Sequence, residues 1–344
     1  MPETGESSSE GPLRDHFGRV ARDLRVSLTD RCNLRCGYCM PPEGLAWLPG
    51  DAMLTDAEVV RLCSISVRIL GIRKIRFTGG EPLLRRGLER IVTACAGLVT
   101  DRGARPDLAL TTNGLGLVHR AGSLAAAGLR RVNVSLDTLD PSHFARLTHR
   151  DRLADVLEGL AAAREAGLHP IKVNAVVLRG VNDDDAAELL DFCLGAGIEL
   201  RFIEQMPIGP AQAWDRERLF TGRDLLDLLG TRHRLRPVSR ADSHAPARLW
   251  CVDGDPSRTV GIIASVTDPF CAACDRTRLT SDGHVRSCLF SRKETDLRGP
   301  LRNGASDREL ADTWRAAMEV KPFAHGLDGA TFATPSRTMS QIGG

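Results

Sequence analysis

The chain repeats one pattern of apolar and polar positions between residues 23 and 206, in which a short strand-like run precedes a longer helix-like run. The six predicted strands are Asp23–Thr29, Arg73–Thr78, Asp107–Thr112, Arg131–Asp137, Ile171–Leu178 and Glu199–Gln205. Repeated strand–helix units predict a parallel sheet with right-handed crossovers. Because six units are fewer than the eight of a closed barrel, we expect an α/β fold with a partial, six-unit TIM-like barrel. An open doubly wound sheet remains the alternative.

The two faces of the predicted strands differ in character, since side chains at i, i+2 and i+4 share a face. The polar face carries Arg25, Ser27, Thr29, Arg76, Thr78, Thr111, Asn133, Ser135, Asp137, Lys172 and Asn174. The apolar face carries Val26, Leu28, Ile75, Phe77, Leu108, Leu110, Val132, Val134, Leu136, Ile171 and Val173. If the apolar face packs against the helices, the lumen is polar and partly cationic. Such a lumen is costly to bury unless an anion occupies it, which indicates a ligand with phosphates or carboxylates. A polar face open to water is the alternative.

The pattern changes after residue 206. The elements predicted there are a helix after Thr221, a linker at 236–247, strands at Arg248–Val252 and Arg258–Ala264, and a helix capped by Ser306 and Glu309. We expect residues 207–344 to form an extension that closes the open side of the 23–206 barrel and ends in a flexible Gly-Gly tail. Residues 1–22 begin with a polar, acidic run and are predicted to be a mostly disordered tail.

Composition and charge exclude several classes of protein. The 46 Lys plus Arg residues balance 44 Asp plus Glu, so nothing favours nucleic acid or an anionic membrane as a partner. No apolar run approaches the ~20 residues of a bilayer span, and the acidic start is unlike a signal peptide. These features predict a cytoplasmic protein. The sequence also lacks the G-x4-G-K-[ST] loop of P-loop GTPases.

Three cysteines, Cys32, Cys36 and Cys39, follow the first predicted strand with C-x3-C-x2-C spacing. Active sites of barrels lie at the carboxyl ends of the strands, and cytosolic thiols are kept reduced rather than paired. Three thiolates leave one iron of a four-iron cluster free to bind a small chelating molecule. A structural zinc ion would want four ligands, and no fourth Cys or His lies nearby.

A second set, Cys271, Cys274 and Cys288, has C-x2-C-x13-C spacing. Here zinc is a stronger alternative, because His284 would complete a set of three thiolates and one imidazole. Beside a first cluster with an open iron, a second cluster of the same kind is the favoured interpretation.

The C-x3-C-x2-C run with Tyr38, and the run Thr78-Gly79-Gly80-Glu81-Pro82, resemble the radical S-adenosylmethionine (SAM) superfamily. The second cysteine set narrows the resemblance. The segment from Cys271 through Cys274 to Asp275-Arg276-Thr277-Arg278, together with Cys288 and the terminal Ile342-Gly343-Gly344, is similar to the GTP 3′,8-cyclase family of molybdenum cofactor biosynthesis. This likeness extends from about Asp23 to the end of the chain.

The resemblance implies two [4Fe-4S] clusters, one held by Cys32, Cys36 and Cys39 and one by Cys271, Cys274 and Cys288. The implied contacts of SAM are Tyr38, Gly80, Ser135 and Met206. The implied contacts of GTP are Arg25, Arg76, Thr111, Lys172, Arg201, Arg276, Thr277 and Arg278. Since the chemistry is radical, no side chain is assigned as an acid or base. Gly343 and Gly344 are expected to be essential because the double glycine of this family enters the active site.

In this family the first cluster cleaves SAM, and the resulting radical takes hydrogen from C3′ of GTP, so that C3′ attacks C8 of guanine. The second cluster binds the guanine. The resemblance also implies a flavodoxin-type one-electron donor protein, a downstream cyclic pyranopterin monophosphate synthase and a possible homodimer.

Two other functions stay open on the sequence alone. One is another two-cluster radical SAM enzyme, such as a peptide-modifying one, although a peptide would not call for so many cations in the lumen. The other is a zinc-bearing binding module, although one Tyr and four Trp are few for stacking on nucleic acid.

Overall fold

The computed structural model describes residues 11–210, 214–239, 244–327 and 334–343. Six parallel strands run side by side in sequence order, namely β1 (Asp23–Ser27), β2 (Lys74–Thr78), β3 (Asp107–Thr112), β4 (Arg131–Ser135), β5 (Ile171–Val177) and β6 (Glu199–Glu204). The helices between them are α1 (Asp56–Arg68), α2 (Leu88–Ala96), α3 (Ala121–Ala126), α4 (Pro141–Thr148), α5 (Leu153–Glu165) and α6 (Ala186–Ala196). All six predicted strands are confirmed; β3 has the predicted bounds, and each of the other five is one or two residues shorter than predicted.

The C-terminal region extends this sheet at both edges. Its strands are β7 (Leu235–Val238), β8 (Arg248–Val252), β9 (Asp255–Ile263), β10 (Arg276–Leu279), β11 (His284–Arg286) and β12 (Thr295–Asp296). Its helices are α7 (Gly222–Leu229), α8 (Arg298–Arg302), α9 (Asp307–Glu319) and α10 (Met339–Ile342). Strand β9 pairs in parallel with β6, and β10 pairs in parallel with β1. Both edges of the six-stranded barrel, whose free backbone groups would otherwise invite pairing with other chains, are therefore covered.

The sheet as a whole is open and has twelve strands in the order β12-β11-β10-β1-β2-β3-β4-β5-β6-β9-β8-β7. The predicted partial barrel is therefore confirmed. A strand at Leu235–Val238 was not predicted, because this segment falls in a stretch interpreted as a linker. Among the described strands it pairs with β8 alone, so Pro237 stands on an edge strand, where proline is tolerated.

The apolar face of the strands packs against the helices, as the alternation predicts. Val26, Phe77, Leu110, Val134 and Val173 are fully buried in one continuous core. The capping boxes predicted at the starts of α1 and α9 are both present. Since the doubly wound alternative would need helices on both faces, this one-sided packing favours the barrel, and it leaves the polar face of the strands toward the lumen.

Residues 11–22 are folded, which corrects the prediction of a disordered tail for that part of the chain. Leu13 and Ala21 are buried in the core, and the backbone N–H of Leu13 donates to the carbonyl of Leu70 at 2.9 Å. The polar composition of residues 1–10 concealed these few apolar positions, and residues 1–10 themselves lie outside the described ranges. In the part of the chain that is described, no helix has the length and apolar character of a membrane span.

Leu13→Ala should lower the free energy of unfolding by about 2–5 kcal/mol, because it removes a fully buried side chain from the core. Denaturant unfolding followed by circular dichroism measures this change. Leu84→Ala is the matched control, since Leu84 is 45% exposed and should change stability little. Equal stability of the Leu13 variant and the parent protein would contradict the folded state of residues 11–22 and support a disordered tail.

Candidate active site

The first cysteine set lines a cavity on the polar face of the sheet. Its walls include Cys32, Cys36, Tyr38, Cys39, Gly79, Gly80, Ser135, Asp137 and Met206. The loop that carries the cysteines is fastened to the end of α4 by backbone hydrogen bonds from Arg35 to Thr148 and from Gly37 to Leu147, at 2.9 and 3.1 Å. The four residues predicted to contact SAM therefore lie around the three thiols.

The three thiols suit an iron–sulfur cluster. All are free, and burial raises the pKa of Cys32, of Cys36 and of Cys39, with the neighbouring thiols adding to the shift of the last two. When iron binds, it displaces the protons of these three thiols and takes the thiolates as ligands. Among the described residues, no group of three or more His, Cys, Asp or Glu side chains converges as a single metal ion would require. Three thiols in one cavity are the protein ligands that a four-iron cluster with one open iron requires.

Glycines at positions 79 and 80 allow the loops after β1 and β2 to touch. A Cβ atom on Gly79 would lie 2.4 Å from the carbonyl oxygen of Thr29, and one on Gly80 would lie 2.2 Å from that of Arg31. Gly79 also has a φ of +147°, which side-chain-bearing residues rarely adopt. These two glycines therefore allow close contact between the two loops, and Gly80 is also the residue expected to contact SAM.

Glu81, the next residue of the motif, ties the second loop to the third. Its carboxylate accepts from Thr112 Oγ1 at 2.7 Å, Asn113 N at 2.7 Å and Leu83 N at 2.9 Å. Burial raises the pKa of Glu81 to about 7 against these hydrogen bonds. Asn113 in turn reaches the first cysteine set, with Nδ2 3.7 Å from the sulfur of Cys32.

Asp137 is a cavity residue that the sequence analysis placed on the polar face but did not assign to a ligand. Its carboxylate accepts from the hydroxyl of Tyr38 at 2.7 Å and from the backbone N–H of Val176 at 2.9 Å. Burial raises the pKa of Asp137 to about 6, although both hydrogen bonds act to lower it. The bond to Asp137 fixes the Tyr38 ring beside the thiols.

A second cavity on the same face is cationic. It is lined by Arg25, Lys74, Arg76, Thr111, Arg131, Arg201, Arg276 and Arg278, with Cys271, Cys274 and Cys288 in its wall. Six of the eight predicted GTP contacts are therefore brought together. Lys74 and Arg131 were not predicted, although their spacing from Arg76 and Asn133 puts them on the polar face.

Two predicted contacts do not line this cavity. The ammonium of Lys172 pairs with Glu199, and burial lowers the pKa of Lys172 to about 8. The hydroxyl of Thr277 accepts from the indole N–H of Trp314 at 3.0 Å, so its side chain points to the core. Because alternate residues of a strand share a face, Thr277 serves to direct Arg276 and Arg278 into the lumen.

The guanidinium groups of this cavity are incompletely paired. The Nε atoms of Arg25, Arg76, Arg201 and Arg276 are buried and have no hydrogen-bond partner. Burial lowers the pKa of Arg25 well below its ordinary value, and the neighbouring Arg276 and Arg76 lower it further. Charge-assisted hydrogen bonds from these N–H groups to a polyanion would satisfy the donors and offset the repulsion. The arrangement is therefore built for an anionic ligand.

The two cavities adjoin each other, and the C-terminal segment contributes to the wall that they share. Residues shared by both walls are Thr111, Asn174, Ile203, Met206 and Met339. Met339 lies on α10, and a guanidinium N–H of Arg278 donates to the carbonyl of Gly343. No local pattern pointed to Met339, whose position depends on this long-range contact. Gly343 is thus held in the lumen, while Gly344 lies outside the described residues.

The histidine that would complete a zinc site with the second cysteine set faces elsewhere. His284 Nδ1 lies 3.3 Å from a carboxylate oxygen of Asp282, and His284 is not among the residues that line the cationic cavity. A single zinc ion held by Cys271, Cys274 and Cys288 would therefore not have His284 as its fourth ligand.

Comparisons with known proteins agree with this arrangement. Residues 26–193 match the Radical SAM superfamily, and residues 198–327 match Molybdenum Cofactor Synthesis C. The structure of Streptococcus suis SuiB bound to S-adenosylmethionine is similar in fold, with a TM-score of 0.58 and 16% identity over 90% of this chain and 68% of that one. Fold and site together define a radical SAM enzyme, a class that carries a [4Fe-4S] cluster and uses SAM.

Relatives of much higher identity define the family. A GTP 3′,8-cyclase of Mycobacterium marinum is 56% identical over 342 residues, which cover 98% of this chain and 94% of that protein. A GTP 3′,8-cyclase of Mycolicibacterium smegmatis is 57% identical over 339 residues, with 98% and 93% covered. That of Corynebacterium glutamicum is 56% identical over 336 residues, with 96% and 89% covered. The chain belongs to the GTP 3′,8-cyclase family.

Arg25→Ala should weaken the binding of inorganic tripolyphosphate by about 1–3 kcal/mol, because one charge-assisted hydrogen bond is lost from the cationic cavity. Isothermal titration calorimetry at low ionic strength measures the change. Arg68→Ala removes an exposed arginine from the last turn of α1 and should leave the affinity unchanged. If both variants bind equally, the attraction is a property of the net charge and not of the cavity.

Proposed function

We propose that the protein converts GTP to 3′,8-cyclo-7,8-dihydro-GTP, the first step of molybdenum cofactor biosynthesis, with SAM and two [4Fe-4S] clusters. The observation that carries the proposal is the pair of adjoining cavities, each with its own cysteine set, one ringed by uncharged and acidic groups and the other by arginines. The identity of more than half to GTP 3′,8-cyclases supports the same reaction.

In this proposal the first cavity holds SAM. Cys32, Cys36 and Cys39 would hold the cluster there, which when bound supplies the electron that cleaves SAM. Tyr38, Gly80, Ser135 and Met206 contact SAM, and the hydrogen bond to Asp137 keeps the Tyr38 ring in position. Met206 belongs to the walls of both cavities, so a ligand in the first cavity and a ligand in the second would lie next to each other at Met206.

The cationic cavity holds GTP. Arg25, Arg76, Arg201, Arg276 and Arg278 bind the triphosphate, since their buried and partly unpaired donors match phosphate oxygens. Thr111 lies on the wall common to both cavities and contacts the nucleoside. Cys271, Cys274 and Cys288 would hold the second cluster at the other wall, as a site for the guanine. The ribose then lies between the guanine and SAM, where hydrogen transfer from C3′ is possible.

Lys172 joins these contacts only if it exchanges its carboxylate partner. Its ammonium pairs with Glu199, and it lies two residues before Asn174 on the same face of β5. A phosphate that displaces Glu199 would bring Lys172 into the site. Thr277 does not contact GTP itself. Its side chain faces the core, which turns Arg276 and Arg278 on either side of it towards the cavity.

The remaining parts of the proposal concern partners and location. We propose that a flavodoxin-type protein supplies the electron, that a cyclic pyranopterin monophosphate synthase takes the product, that the chain forms a homodimer, and that it works in the cytoplasm.

A second candidate is a peptide-modifying radical enzyme, because SuiB, which has also been solved with its precursor peptide SuiA, shares the fold at a TM-score of 0.53. The identity to SuiB in that structure is 15%, which supports a common fold and no common substrate. A peptide would also leave the cationic cavity without an obvious counter-ion.

Cys32→Ala should remove about half of the iron after anaerobic reconstitution and all cleavage of SAM. Replacing Cys271, Cys274 and Cys288 together should remove the other half and stop GTP cyclisation, while reductive cleavage of SAM continues. Iron and sulfide analysis, with chromatography of 5′-deoxyadenosine and of the cyclised nucleotide, measures these outcomes.

Cys251→Ala is the control for this series, since Cys251 lies on β8 outside both cysteine sets. A parent protein that cleaves SAM but leaves GTP unchanged would favour the peptide-modifying alternative. A second-set variant that keeps all its iron but loses zinc would contradict the second cluster.

Gly343→Ala should lower single-turnover cyclisation while iron content stays unchanged. The added Cβ would lie 2.8 Å from Thr78 Cγ2 at a φ of +74°, so α10 must withdraw from the lumen. Gly167→Ala is a matched control, because Gly167 has the same φ with nothing within 4 Å of its Cβ position. A short extension after Gly344 should also block the reaction. Full activity of the Gly343 variant and the extended protein would make the tail dispensable.

A further inference from the structure

A buried lysine outside all the predicted sites contacts the second cysteine set. Lys321 follows α9, and only 2% of it is exposed. Its Nζ atom donates to the carbonyl of Arg276 at 2.8 Å and to the carbonyl of Cys274 at 3.2 Å, and lies 3.5 Å from the sulfur of Cys274. An ammonium has three N–H donors, so these contacts use all of them.

The charge of Lys321 has no carboxylate partner in the described part of the chain; its printed contacts are two carbonyls and one sulfur. Burying an ammonium without a counter-charge is costly. The only group among its partners that can carry a negative charge is the sulfur of Cys274. The ammonium is therefore placed for a thiolate.

Neighbouring contacts hold the backbone around Lys321 and the cysteine loop together. The guanidinium of Arg19 donates to the carbonyls of Cys271, Pro322 and Phe323 at 2.7, 2.7 and 2.9 Å. Asp15 fixes this guanidinium with an ion pair at 2.6 Å. The folded segment 11–22 thus joins the loop that carries the second cysteine set to the segment that carries Lys321, so the N–H···S distance is set by the fold.

We propose that Lys321 is a positioning residue of the second cluster, which donates an N–H···S hydrogen bond to Cys274 and raises the reduction potential of that cluster. The inference rests on the proposed two-cluster function. Hydrogen bonds to cluster sulfurs and net charge are two of the determinants of an iron–sulfur potential. Since reduction adds one negative charge next to the ammonium, the hydrogen bond stabilises the reduced state more than the oxidised one.

The test uses the full chain in which Cys32, Cys36 and Cys39 are all replaced by Ala, so that only the second cluster is observed. Lys321→Met, Lys321→Gln and Lys321→Arg are made in this background, with Lys293→Met as a control that removes an exposed lysine near Cys288. Redox titration followed by electron paramagnetic resonance gives the midpoint potential, and iron analysis and denaturant unfolding of the cluster-free forms are measured in parallel.

Lys321→Met should lower the midpoint potential so that, at a fixed potential, the oxidised-to-reduced ratio rises about tenfold, which is 59 mV for a one-electron couple. Lys321→Gln keeps a donor without the charge and should lie between, Lys321→Arg should restore most of the shift, and Lys293→Met should match the background protein. If Lys321→Met loses its iron while its cluster-free form unfolds normally, the result also supports a positioning role. The midpoint potential is then measured on Lys321→Gln instead.

Two results would overturn the inference and are distinguishable from each other. Iron that is present with the same potential in all the Lys321 variants contradicts the role of Lys321 alone, and a loss of stability in their cluster-free forms would then mark Lys321 as structural. Absence of iron in the background protein itself contradicts the second cluster, and the inference fails with it.

Discussion

The rest of the structure depends on one constraint, the row of arginines that β10, β1 and β2 bring side by side in the lumen. The strand register puts Arg278 opposite Arg25, and Arg25 opposite Arg76. Like charges directly across neighbouring strands destabilise a sheet, and burial removes the water that would screen them. Asp23 supplies one buried carboxylate beside the row, 3.9 Å from Arg276, which offsets only part of this repulsion. When no anion is bound, the remainder of the fold must hold the row in place.

What holds it is the opposite face of the same strands. Val26, Phe77 and Leu279 are fully buried behind the arginine row, and Trp314 of α9 packs there and bonds to Thr277 between two of the arginines. Because β10 belongs to the C-terminal region, the cationic cavity exists only when that region has paired with β1. The extension is therefore part of the binding site and of the core.

Local patterns in the sequence predicted the features that depend on local geometry. The alternation of β1 to β5 predicted which side chains face the lumen, and the cysteine spacing predicted both thiol sets. Features that depend on distant pairing were not predictable in this way. The edge strand Leu235–Val238 exists only because β8 is beside it, Lys172 is diverted by Glu199 on the next strand, and Met339 reaches the lumen through a contact between Gly343 and Arg278. The position of the loop that carries the second cysteine set depends on a hydrogen bond from Arg19 to the carbonyl of Cys271. Arg19 lies in residues 1–22, which the sequence predicted to be mostly disordered.

One cysteine of each set, Cys36 and Cys274, sits in electrostatic surroundings opposite to those of the other. Burial raises the pKa of Cys36, and the neighbouring Cys39 and Asp137 raise it further. Burial also acts to raise the pKa of Cys274, but Lys321 and Arg276 outweigh it, so the pKa of Cys274 is lowered overall. Negative neighbours favour the loss of an electron and positive neighbours favour its retention. For a cluster held by the second set, the cations beside Cys274 would therefore act to raise the reduction potential, whereas Asp137 beside Cys36 would act to lower that of a cluster held by the first set.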